Sequence, residues 1–174
     1  MDLKELQKSW IVRLNKSQVG HYKSSEYYKS MQQLIELAII ISTSVLTVLI
    51  ISELSIESES TLDKLQIVNV TISVLLTALI SYKSFARLDV KKDLHNRTAV
   101  RYGKLKRSIE MIHLDPNNYT IDKFKYLKIE WDSIVEDAPI TSVSFRNKAK
   151  EIIQKDIDDF NELNAANTAP PSTG

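Results

Sequence analysis

The chain has 174 residues, a formal net charge of +1, no cysteine and three glycines. The lack of cysteine excludes disulfides, thiolate nucleophiles and cysteine-based zinc sites. The few glycines form no glycine-rich phosphate loop, and a nucleic-acid role is not expected, because the basic residues cluster beside the apolar stretches described below, where lipid head groups would bind them. Since these averages suit an ordinary soluble domain, the distribution of apolar and charged residues along the chain decides its class.

The first segment, residues 1–33, has the apolar spacing of amphipathic helices, and we expect it to be cytoplasmic. At Gly20 the helix is expected to end or bend, after which a second helix continues toward the first apolar span. The segment lacks the apolar core of a cleavable signal peptide. The first span is therefore expected to act as its own insertion signal.

Two apolar stretches follow, at residues 34–52 and 65–82, and Glu36 is the only charged residue in either. Crossing about 30 Å of hydrocarbon takes about 20 helical residues, so both stretches are near the required length. The favoured interpretation is a transmembrane hairpin with a short acidic loop at residues 53–64. The alternative is a soluble bundle with two buried helices, but the rest of the chain offers little apolar surface to cover them.

Lysine and arginine lie on the outer sides of this pair of stretches. Six precede the first stretch, nine lie between positions 83 and 107, and the connecting loop holds only Lys64. Because positively charged segments stay on the cytoplasmic side, both termini are predicted to be cytoplasmic and the loop to face outward.

The second stretch carries a polar stripe, whose spacing of three and four residues places it on one helical face. Its members are Gln66, Asn69, Ser73, Thr77 and Ser81. In hydrocarbon such a stripe either holds helices together by hydrogen bonds or lines a water-filled path. Two spans are too few to enclose a channel, so a pore requires a homo-oligomer, and about four or five copies would bring the stripe to a common axis.

The loop between the stretches is acidic. Its carboxylates are Glu53, Glu57, Glu59 and Asp63. Repeated around a ring, they would concentrate permeant cations at an outer mouth. The alternative is an ordinary solvated turn.

Glu36 and Lys83 are predicted at matching depth near the inner interface, as a candidate gate. Glu36 has three open interpretations: it extends toward the interface, pairs with Lys83, or faces a lumen. The basic run that begins at Lys83 continues through Arg87, Lys91 and Lys92, where the head groups of an anionic lipid bilayer attract such side chains.

Helical periodicity continues after the second stretch. Residues 83–114 are predicted to form one cytoplasmic helix, and the turn-forming residues that follow it to reverse the chain. Within the C-terminal segment 115–163, the pattern predicts a helix from Ile121 to Asp137 and another from about Ser142 to Leu163. The small and polar tail, residues 164–174, is predicted to be disordered.

The segments on either side of the two stretches share a motif of histidine, small residue and tyrosine at positions i, i+4 and i+7. The residues are His21, Ser25 and Tyr28 before the stretches, and His95, Ala99 and Tyr102 after them. Each set lies on one helical face, and antiparallel helices would place the two histidines at similar depth. The motif suits interlocking packing residues, or a site that senses a ligand or protons. Two histidines without nearby carboxylates make a poor metal site, so no metal is predicted.

This layout, with its exit sequence LHNRTAVRYGKLKRSIE, resembles the SLATT family, the two-transmembrane effector domains that accompany SMODS nucleotidyltransferases and SLOG sensor domains. The segment YLKIEWDSIVEDAP resembles a C-terminal extension found in some branches of that family. The resemblance covers roughly residues 10–140 and implies a membrane effector of nucleotide-triggered defence that forms pores. Since the chain contains no sensor or synthetase domain, the trigger would be a partner sensor protein or a nucleotide second messenger.

The sequence therefore predicts an all-α membrane protein: a two-helix transmembrane hairpin with long cytoplasmic extensions and a C-terminal helical pair. The favoured function is an oligomeric, cation-permeable pore that depolarises or permeabilises the membrane in a defence or conflict system. The alternative is a non-conducting membrane anchor or scaffold whose cytoplasmic helices bind a partner. We expect no enzymatic activity, no cofactor and no nucleic-acid partner, because the motifs for catalysis and phosphate binding are missing.

Overall fold

The computed structural model describes the backbone of residues 3–54, 59–114 and 121–168, and the side chains of residues 5–54, 60–112 and 122–158. These residues are almost entirely α-helical and include no strand, which confirms the predicted all-α class. The helices are α1 (Leu3–Glu53), α2 (Glu59–Ala86), α3 (Leu88–Leu114), α4 (Ile121–Asp137) and α5 (Val143–Thr168).

The helices divide into two compact units. Met1–Glu26 and Asp93–Gly174 form the first, called here the bundle unit, and Tyr27–Lys92 forms the second, called here the apolar unit. Helices α1 and α3 each contribute residues to both units.

The bundle unit is organised around a small apolar core from α1, α3 and α4. Its buried members are Leu14, Tyr102, Leu105, Ile109, Leu127 and Ile134, with Trp10, Ile11, Ile112 and Trp131 packed against them. Trp10 meets Trp131 edge to face, with ring centroids 5.2 Å apart. Since full burial of one such aliphatic side chain contributes about 1.5–3 kcal/mol, these residues supply the main driving force for the unit. The core residues of α3 and α4 recur at spacings of three and four residues, as on one face of a helix.

Polar contacts join α3 to α4 at the edge of that core. Arg101 Nη1 lies 2.7 Å from a carboxylate oxygen of Asp137, and its Nη2 donates to Ser133 Oγ at 3.2 Å. These side chains are solvent-exposed, so the contacts fix orientation more than they add free energy.

Helix α1 is continuous through Gly20, contrary to the predicted end or bend. A glycine in a helix interior costs up to about 1 kcal/mol relative to alanine, but here it is buried and lets other elements approach α1 closely. A Cβ atom built at Gly20 would lie 3.8 Å from Thr141 and 3.9 Å from Ala149. Tertiary packing therefore outweighs the local preference.

Residues 83–114 do not form the continuous helix that was predicted, because the helix is interrupted at Arg87. Helix α2 ends at Ala86 and α3 begins at Leu88, and Arg87 between them has a positive φ of 46°. Left-handed backbone costs an L-residue about 1–2 kcal/mol, and no glycine or asparagine in the sequence marks this position. The N–H of Lys91 donates to the carbonyl of Arg87, which starts the new helix.

Other boundaries also differ from those predicted. The acidic loop was expected to extend to Lys64, but α2 begins at Glu59. Helix α4 has the predicted bounds, and α5 begins as expected, with Ser142 Oγ accepting from the N–H of Phe145 at 3.4 Å. Helix α5 then continues to Thr168, five residues into the segment predicted to be disordered. The predicted turn at residues 115–120 lies outside the described residues.

Two helices are long and apolar enough to cross a membrane by length and composition, and they match the two predicted stretches. In each, only 6% of the most apolar window is buried. Ile40, Val48 and Val70 each expose more than half of their surface, at 61%, 62% and 63%. The core helix of a soluble protein would be buried along such a window, so this exposure distinguishes both helices from one.

Candidate functional site

The polar stripe of α2 does not lie on a uniformly exposed face. Asn69 and Ser73 are half-buried, whereas Gln66, Thr77 and Ser81 are exposed. Part of the stripe thus borders the surface that packs within the apolar unit, and the rest faces outward.

An open groove runs along α2 beside this stripe. It has a volume of about 550 Å³. Its lining residues are Asn69, Val70, Ser73, Val74, Thr77, Ala78 and Ser81. Every lining side chain is small, amide-bearing or β-branched, so another helix or a water column could approach the α2 backbone closely here.

Two of the three stripe hydroxyls have their hydrogens engaged within the helix. Ser73 Oγ donates to the carbonyl of Asn69 and Thr77 Oγ1 donates to the carbonyl of Ser73, both at 2.8 Å. A hydroxyl with its hydrogen committed in this way presents only acceptor lone pairs to the groove. Along these two residues the groove therefore offers oxygen atoms as electron-pair donors, which suits cations better than anions.

Asn69 connects the stripe to an acidic residue. Its amide Nδ2 donates to Glu53 Oε1 at the end of α1, whereas its carbonyl Oδ1 is buried and has no hydrogen-bond partner among the described residues. Because an ionised carboxylate only accepts hydrogen bonds, the amide nitrogen must face Glu53 and the amide oxygen must point elsewhere.

The remaining members of the predicted outer mouth lie differently. Asp63 is exposed in the first turns of α2, and the side chains of Glu57 and Glu59 lie outside the described residues. Of the two carboxylates whose side chains are described, Glu53 and Asp63, the first is the one that contacts the polar stripe.

Glu36 and Lys83, the predicted inner pair, do contact each other. Lys83 Nζ lies 2.9 Å from Glu36 Oε1, and Gln32 Nε2 donates to the same oxygen at 3.1 Å. Beside this pair lies a cavity of about 650 Å³, whose lining includes Ser84 and Arg87. Of the three interpretations left open by the sequence, the structure favours pairing with Lys83.

The two motif histidines meet in the bundle unit. The Nδ1 atoms of His21 and His95 are 2.9 Å apart, and the two side chains are only 5% and 3% exposed. One imidazole must therefore carry its proton on Nδ1 and the other must present a lone pair there. Two protonated rings would place N–H against N–H, so the contact tolerates at most one proton between the two Nδ1 atoms.

Neighbouring side chains fix these rings. Tyr102 stacks on His21 with centroids 5.6 Å apart, and Thr141 Oγ1 lies 3.4 Å from His21 Nε2. Ser25 and Ala99 are buried in the same unit, whereas Tyr28 is half-buried in the apolar unit, where its ring lies 5.9 Å from Lys91 Nζ. Five of the six motif residues are thus packed in one unit. Sequence reasoning missed Thr141, which precedes α5 and carries no motif.

Burial changes the acid–base behaviour of the cluster. It lowers the pKa of His21 from 6.5 to about 4, with a smaller contribution from the nearby His95. Burial also lowers the pKa of His95, and it raises the pKa of Tyr102 against the opposing effect of a hydrogen bond with Ser17. The pair is therefore neutral at pH 7. Among the described residues no group of three or more histidine, aspartate or glutamate side chains could hold a metal ion.

No family model, curated protein or solved structure matches the chain. The geometry of the two units is what bears on function. The apolar unit has exposed apolar helices and a groove that carries the acceptor oxygens of Ser73 and Thr77, and the bundle unit has a buried, neutral histidine pair.

Proposed function

We propose that the protein is an oligomeric, pore-forming membrane protein that conducts cations and acts as an effector in a defence or conflict system, in the manner of the SLATT domains that its sequence resembles. The observation that carries this proposal is the pair of acceptor oxygens that Ser73 and Thr77 place along a groove on α2, within a unit whose helices otherwise expose apolar side chains. These oxygens offer polar contacts to ions, while the rest of the groove and the remaining faces are mainly apolar.

Membrane insertion follows from the exposure of the apolar unit. Soluble monomers rarely expose contiguous apolar patches larger than a few hundred Å², and the unpacked faces of α1 and α2 are apolar over several turns. In a bilayer the same faces contact acyl chains at no cost. The excess of lysine and arginine outside the spans places both termini in the cytoplasm in this proposal.

Conduction would require several copies. The groove lies on one side of a single helix and is open, so one protomer encloses no path. We propose a ring of about four or five protomers, the number at which two-helix subunits can place one helix each around a narrow lumen. Thr77 and Ser81, the exposed members at one end of the groove, would face that lumen.

The test is ion flux through purified protein in liposomes, with the oligomer mass measured on the same preparation. Thr77→Val removes a groove hydroxyl at nearly constant volume. Thr71→Val is the matched control, because Thr71 is also exposed on α2 and donates the same hydrogen bond, at 2.8 Å to the carbonyl of Ile67. The two threonines are about 120° apart around the helix.

We expect wild-type protein to conduct potassium, Thr77→Val to conduct at least about fivefold less, as loss of one favourable polar contact per protomer implies, and Thr71→Val to match wild type. Equal flux from the two variants would contradict a lumen on this face. A stable oligomer without flux, even when candidate cyclic nucleotides or a sensor protein are added, would contradict the pore itself.

The half-burial of Asn69 and Ser73 favours a second candidate, a non-conducting membrane scaffold. In this case the stripe holds helices together, and the cytoplasmic helices bind a partner. Replacing both residues by leucine distinguishes the two functions: a pore would stay assembled and lose conductance, whereas a scaffold would lose its oligomer.

A further inference from the structure

The side chain of Glu53 is held by the amide of Asn69, and this contact lies at one end of the groove on α2. Asn69 belongs both to the groove lining and to the hydrogen bond that fixes Glu53. Glu53 is half-buried, whereas Asp63 is exposed. The Glu53 carboxylate therefore has a defined position relative to the groove.

We infer that Glu53, positioned by Asn69, is the cation-binding residue that sets the charge selectivity of the pore. This inference rests on the proposed function and narrows it, because it assigns selectivity to one carboxylate and not to the acidic segment as a whole. The ligand class is a hard monovalent cation such as potassium or sodium.

Two side chains place oxygen atoms near this end of the groove. Glu53 supplies a carboxylate that is held against the groove residue Asn69, and Ser73, one helical turn further along α2, supplies a hydroxyl whose hydrogen is committed to the backbone. Hard cations prefer oxygen ligands of these kinds, whereas an anion would be repelled by the carboxylate.

Asn69 acts here as a positioning residue. Its N–H holds the carboxylate on the side of α1 that faces α2, and without that bond the glutamate side chain would be free to turn toward solvent. The remaining acidic residues of the segment would then contribute only a diffuse negative potential, which salt screens.

The experiment compares variants in liposomes under a potassium chloride gradient and measures the ratio of potassium to chloride permeability. Glu53→Gln removes the charge and keeps the shape, Glu53→Asp keeps the charge, and Asp63→Asn is the matched control from the same acidic segment. Asn69→Ala tests positioning, since it removes the amide that holds Glu53.

We expect Glu53→Gln to lower the permeability ratio by at least about fivefold, the factor that one unit charge about 4 Å from the ion exerts even at the dielectric constant of water. Glu53→Asp and Asp63→Asn should stay near wild type. Asn69→Ala should lower the ratio while the oligomer mass is unchanged, an effect that a purely structural asparagine would not produce.

The outcomes separate the two proposals. If wild-type protein conducts no ions, the proposed pore fails and this inference fails with it. If wild-type protein conducts cations and Glu53→Gln keeps the wild-type permeability ratio, the pore stands and the assignment to Glu53 is overturned. Equal loss in Glu53→Gln and Asp63→Asn would also overturn it, because selectivity would then belong to the whole acidic segment.

Discussion

Acidification should weaken the bundle unit through its histidine pair. Burial favours neutral His21, so the unfolded chain binds a proton at higher pH than the folded chain does. Because the pKa of His21 is lower in the folded state, its contribution to stability is fully present above the unfolded pKa of 6.5. This contribution is lost as the pH falls toward the folded pKa of about 4. The window of lost stability is therefore pH 6.5 to 4, and the sign is destabilisation by acid.

The loss of stability on acidification can be calculated from the folded and unfolded pKa values of His21. Integrating proton binding from pH 8 to pH 5, with pKa values of 6.5 unfolded and about 4 folded, gives a loss of at most about 2 kcal/mol in the free energy of unfolding. For a chain of this length, 1 kcal/mol corresponds to about 2–4 °C in the unfolding midpoint. The midpoint should therefore fall by as much as about 4–8 °C from His21 alone.

The assay is thermal unfolding of the full chain in detergent micelles, followed by circular dichroism at pH 8 and pH 5. His21→Gln removes the titrating group and keeps a polar side chain, so carboxylates that titrate in both proteins cancel in the difference. We expect the variant to be less stable than wild type at pH 8 and to approach it at pH 5. His113→Gln, at the third histidine of the chain, is the control.

Two results would refute this reasoning. One is an equal loss of stability in wild type and His21→Gln between pH 8 and pH 5. The other is a wild-type midpoint that rises on acidification, because that would mean the folded protein favours the charged pair.

Two further predictions concern backbone positions. Gly20→Ala should raise the free energy of unfolding by about 0.5–1 kcal/mol in denaturant titrations, because the added Cβ meets no atom closer than 3.8 Å. Gly103→Ala, whose Cβ would lie 2.7 Å from Gln18 Nε2, should gain less, and a larger gain there would contradict the packing described. Arg87→Gly should leave stability unchanged or raise it, whereas Arg87→Val should lower it by about 1–2 kcal/mol, as midpoints of thermal unfolding would record. Equal midpoints for these two variants would contradict a left-handed backbone at this position.

The shared motif and the antiparallel order of the helices predicted that His21 and His95 lie at similar depth, because residues at i, i+4 and i+7 share a helical face. Their direct contact is a finding of the structure. The bounds of α4 were predictable for a similar reason, since turn formers flank a clear apolar face. The break at Arg87 was not predictable, because arginine has no preference for left-handed backbone and no glycine or asparagine stands at this position.

The polar groove was predictable only in part. Spacing placed Asn69 and Thr77 on one face of α2, but which members are half-buried depends on how α1 packs against that face. The contact between Glu53 and Asn69 depends on the register of two helices, which no local pattern specifies. The two residues are 16 positions apart in sequence, too far for a helical repeat to relate them.

Hydroxyl groups in the apolar stretches form hydrogen bonds within their own helices. Each of seven donates to the carbonyl four residues earlier in its own helix, and these residues are Thr43, Ser44, Thr47, Ser52, Thr71, Ser73 and Thr77. In the proposed membrane setting, a lone protomer would therefore need no neighbour to satisfy these groups in a bilayer. Under that proposal insertion and assembly would be separate steps, so that single copies would stay inactive in the membrane until something brings them together.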